Sequence, residues 1–351
     1  MLLTILYFAL ILGVIVFVHE FGHFFFAKLF GIYVYEFSIG MGPKIFSWKG
    51  KNKETLYSLR AIPIGGFCSL AGEGSEEDNK LPKNRLLGSK PVWQRFLVMF
   101  FGAGNNFILA LIVLFFIGLI SGAPINKPPV VKDVTIDSPA YVSGMMPGDV
   151  ILSVNDNKVN SYEEMQLYLY TAKGETAIVV LRDEKEETIK VTPLTPEERE
   201  AQNKDYSYGF ACQEQEMEYE YGFFNAIKYS FRRFGELVKQ MIFTFKGLFT
   251  GGISVKELSG PVGIFSAIDQ TKAGGASNLF ALLALLSLNV GFVNLIPFPA
   301  FDGGRIIFLL IEKIKGKPVK AETENLIHTI GFFLLLALII YVTINDIIRI
   351  V

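Results

Sequence analysis

Gly13–Lys28 reads GVIVFVHEFGHFFFAK and holds two of the chain's three histidines, His19 and His23, with Glu20 beside the first. On an α-helix a spacing of four sets both imidazoles on one face, one turn apart. Two neutral imidazoles so placed can ligate a tetrahedral zinc, and the neighbouring carboxylate can act as a base toward water. A soluble protein would carry this motif on an amphipathic helix. Here Met1–Val18 contains no charged side chain. The stretch therefore predicts a zinc hydrolase site on a helix within a lipid bilayer. The plainer alternative is an interfacial His/Glu cluster that holds no metal.

Composition agrees with a membrane setting. The 351 residues are 51% hydrophobic, with a mean hydropathy of +0.38, yet 19% are charged. Apolar spans joined by polar modules satisfy both figures. A net charge of -1 argues against a nucleic-acid footprint. Cys68 and Cys212 lie far apart without metal-type spacing, which argues against a disulfide framework. No basic segment precedes the first apolar run, which continues through the histidine motif to about Phe30. A retained transmembrane helix is expected rather than a cleaved signal peptide.

Four stretches are long enough to span a bilayer: roughly Leu2–Phe30, Trp93–Ile120, Leu279–Ile311 and Leu326–Ile348. The third is interrupted by Asn289, Asn294, Pro297, Pro299 and Asp302. A broken helix at membrane depth needs protein or water to cover the freed backbone. Lys28–Arg95 holds eleven Lys or Arg, and Arg305–Lys320 holds five. The positive-inside rule puts both segments in the cytoplasm. The N-terminus, residues 121–278 and the C-terminus then face outward.

Tyr33–Met41, Lys44–Lys49 and Thr55–Ile64 are rich in aromatic and β-branched residues, punctuated by Gly40, Gly42-Pro43 and Gly65-Gly66. They predict short strands with turns, either dipping toward the bilayer or forming a hairpin clear of it. The outer segment predicts a small α+β module. Its strands are Pro129–Asp133, Val150–Val154, Ala177–Arg182 and Glu187–Val191, and Tyr162–Tyr170 is its helix. Its stretch SPAYVSGMMPGDVILSVNDNKV resembles a PDZ domain. Such domains bind extended peptide tails at a sheet edge; a purely steric role is the alternative. Tyr221–Phe249 interleaves aromatics with Lys228, Arg232, Arg233, Lys239 and Lys246. It predicts an amphipathic helix, lying in the membrane interface or packed on the module.

A catalytic zinc takes three protein ligands and leaves one position open. Asp302 is the candidate third ligand. It follows Asn294-Leu-Ile-Pro-Phe-Pro-Ala-Phe301, where two prolines break the helix, and precedes Gly303-Gly304. Its alternative role is to cap the helix that follows, with Arg305 as counter-ion.

HExxH in the first span, the N-x-x-P-x-P-x-x-D-G stretch in a late span and the PDZ-like module between them resemble a site-2 protease. The likeness is to the RseP-like bacterial intramembrane zinc metalloproteases, in a single-PDZ form, and it covers nearly the whole chain. Leu258–Ile264, LSGPVGI, and Phe101–Ala110, FGAGNNFILA with Asn106, resemble further family segments. Phe301 and Ala103 are departures, standing where leucine and proline are common.

The resemblance implies a polytopic α-helical membrane protein of about four transmembrane helices. The expected organisation is a first helix within 1–32, β hairpins and a loop at 33–91 on the cytoplasmic side, and a second helix at 92–121. An extracytoplasmic PDZ domain at 122–198, a linker and interfacial helix at 199–277, a broken third helix at 278–315 and a fourth at 322–351 follow. Zn2+ would be bound by His19, His23 and Asp302, with Glu20 as general base and Asn294 positioning the substrate. The implied setting is the bacterial cell membrane, with the active site toward the cytoplasm. The implied activity is regulated intramembrane proteolysis of single-span proteins, anti-sigma factors or similar, and of remnant signal peptides. A membrane PDZ scaffold with a vestigial metal site is the competing function. A zinc transporter fits less well, because the spans offer only one ionisable cluster.

Overall fold

The computed structural model describes residues 1–50, 54–73, 75–172, 174–213, 218–250, 253–255 and 258–350. The uncharged opening run begins one uninterrupted helix, α1 (Leu2–Leu29), which carries the histidine motif on its C-terminal half. Two strands follow, β1 (Val34–Lys49) and β2 (Leu56–Leu70). Then come α2 (Val92–Ser121), the short strands β3 (Ala123–Pro124) and β4 (Val131–Val134), and α3 (Pro139–Val142). Next are β5 (Val150–Val154), β6 (Asn157–Lys158), α4 (Tyr162–Thr171), β7 (Thr176–Arg182), β8 (Lys185–Val191), α5 (Pro196–Ala201), β9 (Phe210–Cys212) and β10 (Tyr219–Glu220). Five helices complete the chain: α6 (Phe223–Thr250), α7 (Pro261–Thr271), α8 (Ala276–Leu295), α9 (Asp302–Lys315) and α10 (Ala321–Ile350).

Among the described residues, four helices are long and apolar enough to cross a membrane: Leu2–Leu29, Val92–Ser121, Ala276–Leu295 and Glu322–Arg349. Their outward faces are what water would reject. Phe17, Phe21 and Phe25 on α1 and Ile330, Phe332 and Phe333 on α10 are all exposed. In a bilayer these side chains meet lipid, so helix association rests on close packing rather than on hydrophobic exclusion.

The chain divides into two compact units. The first holds residues 1–121, 226–237 and 258–351. Its helices touch where side chains are missing. A β-carbon on Gly22 of α1 would collide with the Phe101 backbone of α2. One on Gly291 of α8 would stand 3.0 Å from the Ala103 carbonyl and 2.9 Å from the Phe107 ring. Below the histidines, Ala27, Ile32, Val34, Leu70, Val98 and Met99 form a closed core joining α1, the β sheet and α2.

The β region is more continuous than its glycines suggest. Gly40 and Gly42, at φ +83° and +81°, bend β1 without ending it. Residues 36–39 then pair twice. They run against 66–69 on one side, while on the other they lie beside 56–59 with both numbers rising together. Residues 44–49 pair antiparallel with 56–60, which folds the two long strands into a sheet. Glu36 fastens it, accepting from Ser58 Oγ at 2.5 Å and from Arg60 at 2.7 Å. Burial alone would raise the Glu36 pKa, but these bonds and one from Lys44 hold it below the usual carboxylate value.

The second unit holds residues 122–225 and 238–257. A four-stranded sheet in the order β6-β5-β7-β8 packs with α4 around Ile151, Val154, Met165, Ile178, Val180 and Val191. Hairpin turns fall where short polar side chains tolerate a left-handed backbone: Asn155 and Asp156, then Asp183. Strand β9, from the stretch read as a linker, pairs antiparallel with β4. Asp149, only 1% exposed, explains the Pro-Gly-Asp sequence before β5. Its carboxylate accepts from the Met146 amide at 2.9 Å and from Arg182 twice at 2.7 Å. Asp149→Ala leaves the Met146 amide without its acceptor and Arg182 with only Glu187 and the Gly144 carbonyl. It should destabilise this unit by about 1–3 kcal/mol, read as protease nicking within residues 122–213 at lower denaturant. An unshifted nicking profile would refute the role given to Asp149.

Candidate metal centre

α1 and α9 each bring ligand-type side chains to one point. His19 and His23 project from successive turns of α1, with ring centroids 5.0 Å apart. Asp302 is the first residue of α9, and it does not cap that helix: the N-cap is Phe301, with no side-chain cap bond. Arg305 makes its direct ion pair with Glu73 while staying in electrostatic reach of Asp302. The Asp302 carboxylate instead turns toward the histidines. His19 Nε2 and His23 Nε2 each lie 3.4 Å from Asp302 Oδ2, and 3.3 Å from one another.

Among the described residues, His19, His23 and Asp302 form the cluster whose ligand atoms all lie within 4.8 Å, a group able to hold a metal ion. The triangle is close to equilateral. Ligands about 2.0–2.1 Å from a tetrahedral zinc stand roughly 3.3–3.4 Å apart, which matches its edges. Asp302 Oδ2 is also buried without a hydrogen-bond donor. A buried carboxylate oxygen left in that state is costly unless a cation completes it. Donor chemistry and spacing therefore both fit zinc.

The surrounding chain orients these groups. His23 is 8% exposed, and its Nδ1 lies 2.8 Å from the Val98 carbonyl of α2. That carbonyl can only accept, so Nδ1 carries the proton and Nε2 keeps a free lone pair for a ligand. The Asn106 side chain, fully buried on α2, lies 3.4 Å from His19 Nδ1. Gly102 makes room for the whole arrangement. A β-carbon there would collide with the His23 ring and stand 3.0 Å from Asp302 Oδ2. Neither Gly102 nor the Val98 carbonyl carries a sequence signal of its own, because one acts by lacking a side chain and the other through its backbone.

Glu20 lies beside the cluster and in electrostatic reach of His23 and Asp302. Strand β2 runs against it: a β-carbon on Gly66 would stand 3.3 Å from Glu20 Cγ. Asn294 sits on the last turn of α8, just ahead of the break that delivers Asp302. Asn289, also on α8, has a buried Oδ1 without a hydrogen-bond partner.

Comparison with known proteins shows the family. Residues 7–338 match the model of Peptidase family M50. A putative zinc metalloprotease of Clostridium perfringens is 37% identical over 98% of both chains. One of Fusobacterium nucleatum is 35% identical, also over 98% of both. The regulator of sigma-W protease RasP of Bacillus subtilis is 34% identical, over 99% of this chain and 98% of its own. Likeness from end to end leaves no part of the membrane core outside the comparison, and the chain accordingly belongs to peptidase family M50, as a membrane zinc metalloprotease of the site-2 type.

Proposed function

We propose that this protease cleaves single-span membrane proteins within the bilayer, using His19, His23 and Asp302 as zinc ligands and Glu20 as general base. The observation that carries the reading is the triangle of Nε2, Nε2 and Oδ2 atoms with edges of 3.3 to 3.4 Å. The zinc supplies Lewis acidity, lowering the pKa of water from about 15.7 to about 7. Glu20 takes the proton of the attacking water and returns it to the leaving amine. His23 is held in its ligating tautomer by the Val98 carbonyl. His19 needs a proton on Nδ1 for the same reason. The Asn106 amide nitrogen faces that atom at 3.4 Å, and turning the amide end for end would bring its otherwise unpartnered oxygen there as the acceptor. Asn294, at the mouth of the break, positions the substrate chain.

A helical substrate hides its amides in its own hydrogen bonds and must unwind to be cut. Residues 44–49 suit that step. They form an outer edge of the β sheet, and Ile45, Phe46 and Trp48 among them are exposed. An unwound segment adds to such an edge through main-chain bonds. The β region at 33–91 lies on the cytoplasmic side in this reading, as does the active site. The module at 122–198, with β9 added from the stretch read as a linker, is a PDZ domain outside the cell membrane, and the interfacial helix within 199–277 follows it. It admits substrates already trimmed of bulky outer domains and offers a site for peptide tails. The similarity to a protease named for regulating sigma-W makes anti-sigma factors a candidate substrate class; remnant signal peptides are another.

Cleavage of a single-span reporter in liposomes tests the assignment. Glu20→Gln should lower turnover by roughly 100-fold or more while bound zinc stays at the wild-type level. Equal cleavage by wild type and Glu20→Gln would end the general-base reading. Gly102→Ala pushes a methyl group into the His23 ring. It should release zinc more readily and cut turnover by about 100-fold, measured by metal analysis beside reporter cleavage. Wild-type zinc retention in that variant would show that the helix contact does not set the ligand geometry.

A further inference from the structure

Ala300 adopts a left-handed backbone, φ +87°, in the break between α8 and α9. An alanine stays there only where its surroundings impose it. Most amides of the break find acceptors close by. Phe298 donates to the Ile296 carbonyl at 2.7 Å, Phe301 to Phe298 at 3.2 Å and Gly304 to Phe301 at 3.1 Å. The Ala300 amide leaves the loop and donates to His328 Nδ1 on α10 at 3.1 Å.

His328 is the chain's third histidine, and the HEFGH motif makes no use of it. Because Nδ1 accepts, its neutral ring carries the proton on Nε2, which is buried without a hydrogen-bond partner. Glu324 stands 3.9 Å from that nitrogen. The Phe308 ring of α9 lies 5.5 Å from the imidazole. Nearly one turn further along α10, a β-carbon on Gly331 would collide with Pro299. So α10 grips the break twice, by a hydrogen bond at Ala300 and by backbone-close contact at Pro299.

We infer that His328 is a positioning residue for the metal centre: by accepting the Ala300 amide it fixes the left-handed turn that aims Asp302 at His19 and His23. The inference rests on the reading of Asp302 as a zinc ligand. Ala300 lies two residues before Asp302, so any relaxation of its φ swings the start of α9. Loss of the acceptor would leave the half-buried Ala300 amide unpaired and remove what opposes that relaxation.

The test uses the full chain in detergent micelles, with zinc affinity from chelator competition, the absorption of the cobalt-substituted protein, and reporter cleavage. His328→Leu keeps the volume and removes the acceptor. It should weaken zinc binding by roughly 10- to 100-fold, in the range for residues that orient ligands. It should also alter the cobalt spectrum and lower kcat with KM unchanged. His328→Asn sets Oδ1 where Nδ1 stands and should remain near wild type. Ala300→Gly removes the cost of the left-handed backbone, so combining it with His328→Leu should recover much of the loss. A His328→Leu protein with wild-type zinc affinity and an unaltered cobalt spectrum would overturn the inference. So would His328→Asn failing as fully as His328→Leu. Asp302→Ala is the control that separates the two readings. If it retains wild-type zinc affinity, the ligand assignment falls; if it loses zinc while His328→Leu does not, only the role of His328 falls.

Discussion

Backbone-close packing of α1 against α2 is the constraint on which the site depends. The two helices meet where Gly22 faces the Phe101 carbonyl and Gly102 faces His23. Only at that separation can the Val98 carbonyl reach His23 Nδ1 and Asn106 reach His19. In lipid no general hydrophobic force draws helices together, so small residues and buried polar contacts must do it. The glycines that permit packing are thus the same residues that leave room for the imidazoles. Gly291 extends the pattern by setting α8 against α2, and α8 leads directly into the segment that carries Asp302.

That segment faces a second constraint. At membrane depth a backbone outside a helix must satisfy its own polar groups. Pro297 and Pro299 lighten the demand, since neither has an amide hydrogen. Phe298, Phe301 and Gly304 turn inward to nearby carbonyls, and α10 answers Ala300. Gly303 and Gly304 fold the first turn of α9 back on the end of α8, where any β-carbon would meet the carbonyls of Ile296 and Phe298. Asp302 can therefore emerge from a break rather than a helix face and still have one direction.

Much of this could be read from residue types. The uncharged run, the four-residue histidine spacing and the proline-broken stretch before Asp302 are local patterns, as are the apolar stretches that become the four long helices. The MPGD and Asn-Asp-Asn turns of the second unit are equally local. The sheet of residues 34–70 was legible as strands but not as two continuous ones, because Gly40 and Gly42 bend a strand as readily as they end it. Its double pairing at 36–39 is a matter of register, which alternation alone leaves open. The carbonyl of Val98, the room left by Gly102 and the acceptor on His328 had no signature. Each acts through backbone or through absence, and each becomes visible only when remote segments meet.

The orphaned oxygen of Asp302 bears on why the parts stay together. A buried carboxylate with one oxygen unpartnered is destabilising by itself, and two imidazole lone pairs converging on it add nothing without a cation. In the proposed function, binding zinc would turn these liabilities into ligands, so metal affinity would include the cost of assembling α9 against α1. A preformed triangle keeps that cost low. The left-handed alanine, the glycine pair at 303–304 and the grip of α10 on the break all act before the metal arrives. The stability lost in holding strained and unpaired groups is thereby recovered as affinity at one point in the bilayer.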